Sequence, residues 1–449
     1  MPQTTQATGL GPILKIDYVN EVRYDISMRT KGWTAFNRQT TPYKARAKDT
    51  KFGIVTSPNQ GPRSYGANDP GIFATTAGKM GVEDVTVNYV KMYAPTRITW
   101  EVYQEATSAG ALTDGVALEL DGLATSFGRQ LERSLWTGDG RDVLFMIDQD
   151  TPGISATGAN IDRYGGYSGQ ELGLIVESMN LVNMEVSFAA TVGGAARDTG
   201  AVRTILTAIA TKNTESITWA SAAVAALAAG DSVYRSRQDA AGVQGISDGM
   251  YGLPAMCDDY SLIATYQGLT TALAPSFAAK LLGNGGVNRP LTEDLLSLAV
   301  GIAQQRGGGK PTDEKGNMTS AVFCHIFTER AFASLLTGDR RYSAPTLWTP
   351  KGFKPISGAD IELMSHEGMP FISGQLALRN SAFIVDLASQ FIVSNGPAEG
   401  GFIDEGTGKA VRVTGGPQFE YAWWAFVNGA SKGRNRNVRI NDLETTQAA

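Results

Sequence analysis

The sequence is poor in the residues that most enzymes and secreted scaffolds depend on. It has two cysteines in 449 residues, Cys257 and Cys324, and no C-x-x-C. That excludes a disulfide framework, suits a reducing compartment, and leaves both thiols as expected small buried apolar residues. It has two histidines, His325 and His366. Neither histidines nor cysteines are spaced as metal ligands, so each histidine is read as a hydrogen-bonded, partly buried ring and no metal or cofactor is expected. No run approaches the roughly 18 apolar residues of a membrane span. The opening MPQTTQATGLGP has neither a basic nor an apolar stretch, so no secretory signal is expected. An excess of one charge is also missing: the net charge of −5 predicts no general grip on nucleic acid.

What is present is a globular composition, 42% hydrophobic and 18% charged, with length for two or three domains. There are 52 glycines, where average usage would give about 31, so turns and strand junctions should be many. Residues 1 to about 35 read as an extended arm with one alternating piece, ILKIDYVNEV. KFGIVTS (51–57) and VEDVTVNYVKMY (82–93) read as strands joined by SPNQGPRSYGANDPG, a two-stranded ribbon with a loose tip. Such a ribbon is marginal alone in water. The second strand carries Val85, Val87 and Tyr89 on one face and Val90 and Met92 on the other, so the ribbon must lie against its own domain or against a neighbouring subunit.

The clearest helix follows. Ala109, Leu112, Val116, Leu120, Leu123, Phe127, Leu131 and Leu135 form one stripe at steps of three and four. Thr107 or Ser108 is the expected cap and Gly138 the stop, giving about 28 residues and roughly 40 Å. Arg129 and Arg133 suit the negative end of its dipole. Residues 141 to about 254 are looser and read as an inserted β-rich subdomain. LTEDLLSLAVGIAQQR reads as a helix capped by Thr292, with Leu295, Leu298, Ala299 and Ile302 on its buried face. TSAVFCHIF reads as an apolar strand, and TERAFASLLTG as a helix capped by Thr328. From Gly358 onward strands predominate.

Gly245-Ile246-Ser247-Asp248-Gly249 is a literal G-x-S-x-G. A nucleophile elbow needs a buried strand before the serine and a helix after it. RQDAAGVQ and MYGLPAM supply neither, so two turns at a domain junction are expected. DQDTPG (148–153) lacks calcium ligands at Pro152 and Ala159. DEGTGKA (404–410) has Ala410 where a phosphate loop needs serine or threonine. The basic clusters YKARAKDTK (Lys44, Arg46, Lys48, Lys51) and SKGRNRNVR (Lys432, Arg434, Arg436, Arg439) read as solvated faces, or in an assembly as contacts to acidic neighbours or phosphate. No catalytic residue is expected, and the chain reads as a building block.

In order, the arm, the ribbon, the helix closing on LERSLWTGDG, the TEDLLSLAVGIAQQR helix, SAVFCHIFTERAFASLL, MSHEGMPFISGQLAL and the terminal QFEYAWWAFVNGASKGRNRNVRINDLE resemble the major capsid proteins of tailed bacteriophages. The resemblance implies an α+β, Johnson-type capsid fold. Its parts would be an N-terminal arm (1–35), an extended β-ribbon loop (36–97), a long spine helix of the peripheral domain (98–140), a β-rich insertion (141–254), an axial domain (255–385) and C-terminal strands (386–449). It implies self-assembly into hexamers and pentamers of an icosahedral shell around double-stranded DNA, without sequence-specific binding. It also implies assembly in a bacterial host's cytoplasm, a separate scaffolding protein, a portal protein and, as an open further partner, a decoration protein. The ribbon would then lie on the next subunit. Phe52, Ile54, Val85, Val87, Tyr89, Met92, Arg129 and Arg133 are the candidate inter-subunit contacts. The rival readings are an encapsulin shell holding protein cargo, and a serine hydrolase using Ser247.

Overall fold

A carboxylate with no access to water ties the first helix to the longest one in the computed structural model. The structure describes residues 31–39, 43–44, 49–57, 59, 80–99, 115–147, 153–155, 157–163, 167–168, 182–189, 203–210, 215–220, 227–238, 244–246, 248–261, 263–312, 318–339, 365–395, 401–402, 411–412 and 418–444. Helix α1 (Lys31–Gln39) presents its first backbone N–H groups to Glu132: Gly32 N donates to Oε1 at 3.0 Å and Trp33 N to Oε2 at 2.6 Å. Those are donors that a helix start leaves without a partner in its own ladder. The expected extended arm therefore gives way to a helix at residue 31, because a buried acceptor and an apolar seat for Trp33 and Phe36 are available.

Two strands form the ribbon, β1 (Asp49–Ser57) and β2 (Gly81–Asn88), paired antiparallel. The strand expected over residues 82–93 is two strands. Pairing with β1 ends at Asn88, and β3 (Val90–Thr99) pairs instead with a C-terminal strand. The change of partner at Tyr89 explains why both faces of the segment carry apolar groups. Helix α2 (Gly115–Thr137) follows, with Phe127, Leu131 and Leu135 buried. Its 23 described residues span about 35 Å, and the expected start at Thr107 or Ser108 lies outside the described residues. The helix stops at Gly138, whose N donates to Ser134 O at 3.0 Å. A Cβ there would meet the carbonyl oxygens of Met250 and Ser134 at 2.3 Å.

The next stretch closes on itself. Strands β4 (Val143–Ile147), β5 (Gly158–Arg163), β6 (Glu185–Ala189), β7 (Arg203–Ala210), β8 (Glu215–Trp219) and β9 (Ser232–Gln238) pair antiparallel in the order β6-β7-β8-β5-β4-β9, and β9 pairs back to β6. The result is a six-stranded barrel that leaves neither end strand of this path as an open edge. Alternate residues fill it: Phe145 and Ile147, Ala159 and Ile161, Val186 and Phe188, Ile217 and Trp219, with Ile205 and Val233.

The rest builds two sheets. Helix α3 (Glu293–Gln305) is capped by Thr292, whose side chain accepts from Leu295 N at 3.2 Å. Its buried face is Leu296, Ala299, Val300 and Ala303. That corrects the expected face: Leu298 is exposed, while Leu295 and Ile302 are only partly covered. Strand β10 (Ser320–His325) leads into helix α4 (Ile326–Asp339). The helix begins two residues before Thr328, which is buried and donates to Arg379 O at 3.2 Å rather than capping. Strands β11 (Met369–Gly374), β12 (Ala382–Asp386), β13 (Gln390–Ser394), β14 (Gln418–Ser431) and β15 (Val438–Ile440) complete the chain. One six-stranded sheet runs through β15-β12-β10-β11. Strand β10 is its middle and is buried on both faces: Ala321 and Phe323 enter one apolar cluster, Val322 and Cys324 another. The second sheet is organised by β14, which pairs with β13 on one side and along ten residues of β3 on the other. The architecture is α+β.

Candidate assembly surface

The ribbon has two unlike faces, set by strand alternation. Directly opposed residues share a face, so Phe52/Val85 and Thr50/Val87 look one way and Val55/Val82 the other. On the first face Ile54, Val85 and Val87 are buried. They pack with Tyr260, Ile263, Tyr266, Leu269, Phe277 and Phe391 of the same chain. Phe52 meets Phe391 edge-on at 5.5 Å, and Tyr89 stacks on Phe426 at 5.6 Å. Met92 packs against the main core. Of the two seats open to the ribbon, its own domain and a neighbouring subunit, this face takes its own domain. The cover comes from the turn-rich stretch 260–277, whose start, within DDYSLIATYQGL, reads by sequence as a helix with capping aspartates and instead forms turns and a short hairpin. Its seat includes a hairpin, Thr265–Tyr266 against Leu269–Thr270.

Arg133 is likewise an internal group. It is buried, and its guanidinium pairs with Asp142 and donates to Gln130 Oε1 at 2.8 Å. Arg129 is half-buried. Of the predicted contact residues, the six on the ribbon side are thus committed wholly or partly to intramolecular packing.

The opposite face is the open one. Val55 is 57% exposed and Val82 52%, paired directly across the strands, and Met80 beside them is 54% exposed. A cross-strand pair of β-branched residues left in water is the kind of apolar surface a partner covers.

The polar groups of the site are internal too. The run Lys432–Arg439 is solvated only in part: Lys432 and Arg436 are exposed, while Arg434 and Arg439 are internal. Arg434 is fully buried, donates to Ala255 O at 3.0 Å, meets Asp258 at 3.4 Å and lies 4.4 Å from the ring centres of both Tyr260 and Tyr266. Arg439 is buried over Phe383. At the end of α2, Asp139 accepts from Arg141 N at 2.9 Å and Tyr234 OH at 3.0 Å, and burial pushes its carboxyl up to about 6. Burial also raises Glu132 and pushes the Cys257 thiol up to about 12.

The catalytic motifs find no support here. Ser247 lies outside the described residues, and both flanks are strands, Gln244–Ile246 and Asp248–Tyr251, where an elbow requires a helix to follow. The calcium-like residues 148–152 and the loop 404–410 also lie outside the described residues. His325 is buried, its Nδ1 accepting from Phe327 N at 3.1 Å. His366 Nε2 lies 3.1 Å from Ser297 Oγ, and burial lowers its pKa. Among the described residues no three His, Cys, Asp or Glu side chains are grouped to hold a metal, and no helix is long and apolar enough to cross a membrane.

No protein-family model and no curated sequence matches the chain. Solved structures do. A chain of the cyanophage A-1(L) capsid asymmetric unit superposes with a TM-score of 0.55 at 11% identity, covering 95% of this chain and 96% of that one. The two chains share one fold. A chain of the capsid of Myoviridae phage XM1 gives 0.46 at 6% identity (95% and 97% covered), and the holo-SrpI encapsulin complex of Synechococcus elongatus PCC 7942 gives 0.46 at 9% (96% and 95%).

Proposed function

We propose that this chain is a structural protein, the major capsid protein of a tailed bacteriophage, whose copies form hexamers and pentamers of an icosahedral shell around double-stranded DNA. The observation that carries this reading is the fold shared end to end with the cyanophage capsid chain. The exposed Val55/Val82 pair supports it, because a head-to-tail contact repeated around a ring closes into such oligomers. Obligate contacts of this kind bury about 2,000 Å² or more. In this reading α2 is the spine of a peripheral domain, residues 255–385 form the axial domain, and the barrel is an insertion. Assembly takes place in the host bacterial cytoplasm with a separate scaffolding protein and a portal protein, and a decoration protein is a further candidate partner. The net charge of −5 keeps the shell's hold on DNA weak and unspecific.

Expression of the chain followed by negative-stain microscopy, with nuclease and mass-spectrometric analysis of the contents, tests the reading. Icosahedral shells or rings without an enzyme cargo are expected. Shells filled with a single host enzyme would instead establish the encapsulin alternative, and labelling of Ser247 by a fluorophosphonate probe the hydrolase one.

A further inference from the structure

A groove of about 760 Å³ runs along the half of β1 nearer the ribbon's tip. One wall is the unbroken run Phe52–Ser57. The other is Ser276, Phe277, Arg306 and the loop from Lys432 to Arg436. The lining holds three cations and no carboxylate. Arg306 is anchored by the carbonyl oxygens of Ala278 (3.1 Å) and Asn435 (3.4 Å), and Arg436 by Asp386 (3.4 Å). Lys432 sits 5.2 Å over the Phe391 ring, with no carboxylate in salt-bridge range among the described residues. Among the described residues β1 pairs on one edge only, and an open strand edge offers backbone groups that another strand satisfies.

We propose that residues 16–25 of the chain's own N-terminal segment, IDYVNEVRYD, occupy this groove as an added strand. The sequence alternates as a strand does. Ile16, Tyr18, Asn20, Val22 and Tyr24 fall on one face; the other carries Asp17, Glu21 and Asp25, about 13 Å apart at successive steps of four, with Val19 and Arg23 between them, and keeps a net charge of −2. The apolar face matches Phe52, Ile54 and Phe277, and the acidic face matches Arg306, Lys432 and Arg436. Five residues, 26–30, separate the segment from α1, and so short a tether gives an effective concentration in the millimolar range, which favours the segment of the same chain over any free peptide. The inference rests on the groove and the sequence and is independent of shell formation.

Limited chymotrypsin digestion of the dilute full-length chain, followed by intact mass, tests it. Cleavage after Tyr18 and Tyr24 is expected to be slow in the wild type and in Lys432→Arg. It should be about tenfold faster in Lys432→Glu, and slow again when Glu21→Lys is combined with Lys432→Glu. Thermal melting of each variant verifies that the body is folded. Unchanged cleavage in Lys432→Glu would overturn the proposal. So would protection that appears only at concentrations where copies associate, which would assign the groove to a second copy's segment. Loss of low-salt binding to labelled duplex DNA in Lys432→Glu, with cleavage unaltered, would make the groove a phosphate site and overturn it equally.

Discussion

Arg434 illustrates how a single residue can mislead a reading by composition. In SKGRNRNVR it looks like one of four solvated cations, yet it is enclosed between two tyrosines and paired with Asp258. Local charge density says nothing of a partner 176 residues away. Cys257 and Cys324 were legible because burial of a free thiol follows from residue type alone. Asp139 was legible only as part of a helix stop, and its environment came from tertiary structure. With its folded pKa raised from 3.8 to about 6, folding favours the neutral acid. That stability is complete below pH 4 and is lost as pH rises through 6. The difference of about two units corresponds to about 3 kcal/mol. Asp139→Asn, which can keep the Arg141 contact, should therefore raise the melting temperature at pH 7.5 and leave it nearly unchanged at pH 4. Equal shifts at both values would show that the buried charge is not the cause.

At the scale of elements, period and capping decided what was readable. The cap at Thr292 and the stop at Gly138 were legible because each is a local hydrogen-bonding event. The strand over residues 82–93 was not separable at Tyr89, since a strand that changes partner keeps its alternation. The α3 stripe was misplaced by one row because Leu298 is as apolar as its buried neighbours. The strand-rich character of residues 141–254 is legible, but its closure is not: ring closure depends on β6 meeting β9, a pairing without any local signature. That closure gives the barrel its own core around the Phe188–Trp219 contact at 5.3 Å. Trp219→Ala should cost about 3–5 kcal/mol within the barrel. In hydrogen exchange with mass spectrometry, β4 to β9 should lose protection while β10 to β12 retain theirs. Loss of protection spread equally through both sheets would show that the barrel is not a separate cooperative unit.

At the scale of the whole molecule, the order of helices and strands is the most legible feature, and the fold they make is shared with a chain of the cyanophage A-1(L) capsid asymmetric unit. Which ribbon face is covered depends on tertiary packing: Val85 and Val87, named as contacts to a neighbour from the sequence, lie in the chain's own core, while Val55 and Val82 are exposed. The double variant Val55→Asp/Val82→Asp places two charges on an exposed face and should leave the subunit folded. Sedimentation velocity of wild type and double variant tests the central claim most directly. The account predicts wild-type particles many times the 47.7 kDa subunit and a double variant that sediments as folded monomers. A wild type that remains monomeric at every concentration, or shells that form equally well from the double variant, would contradict it.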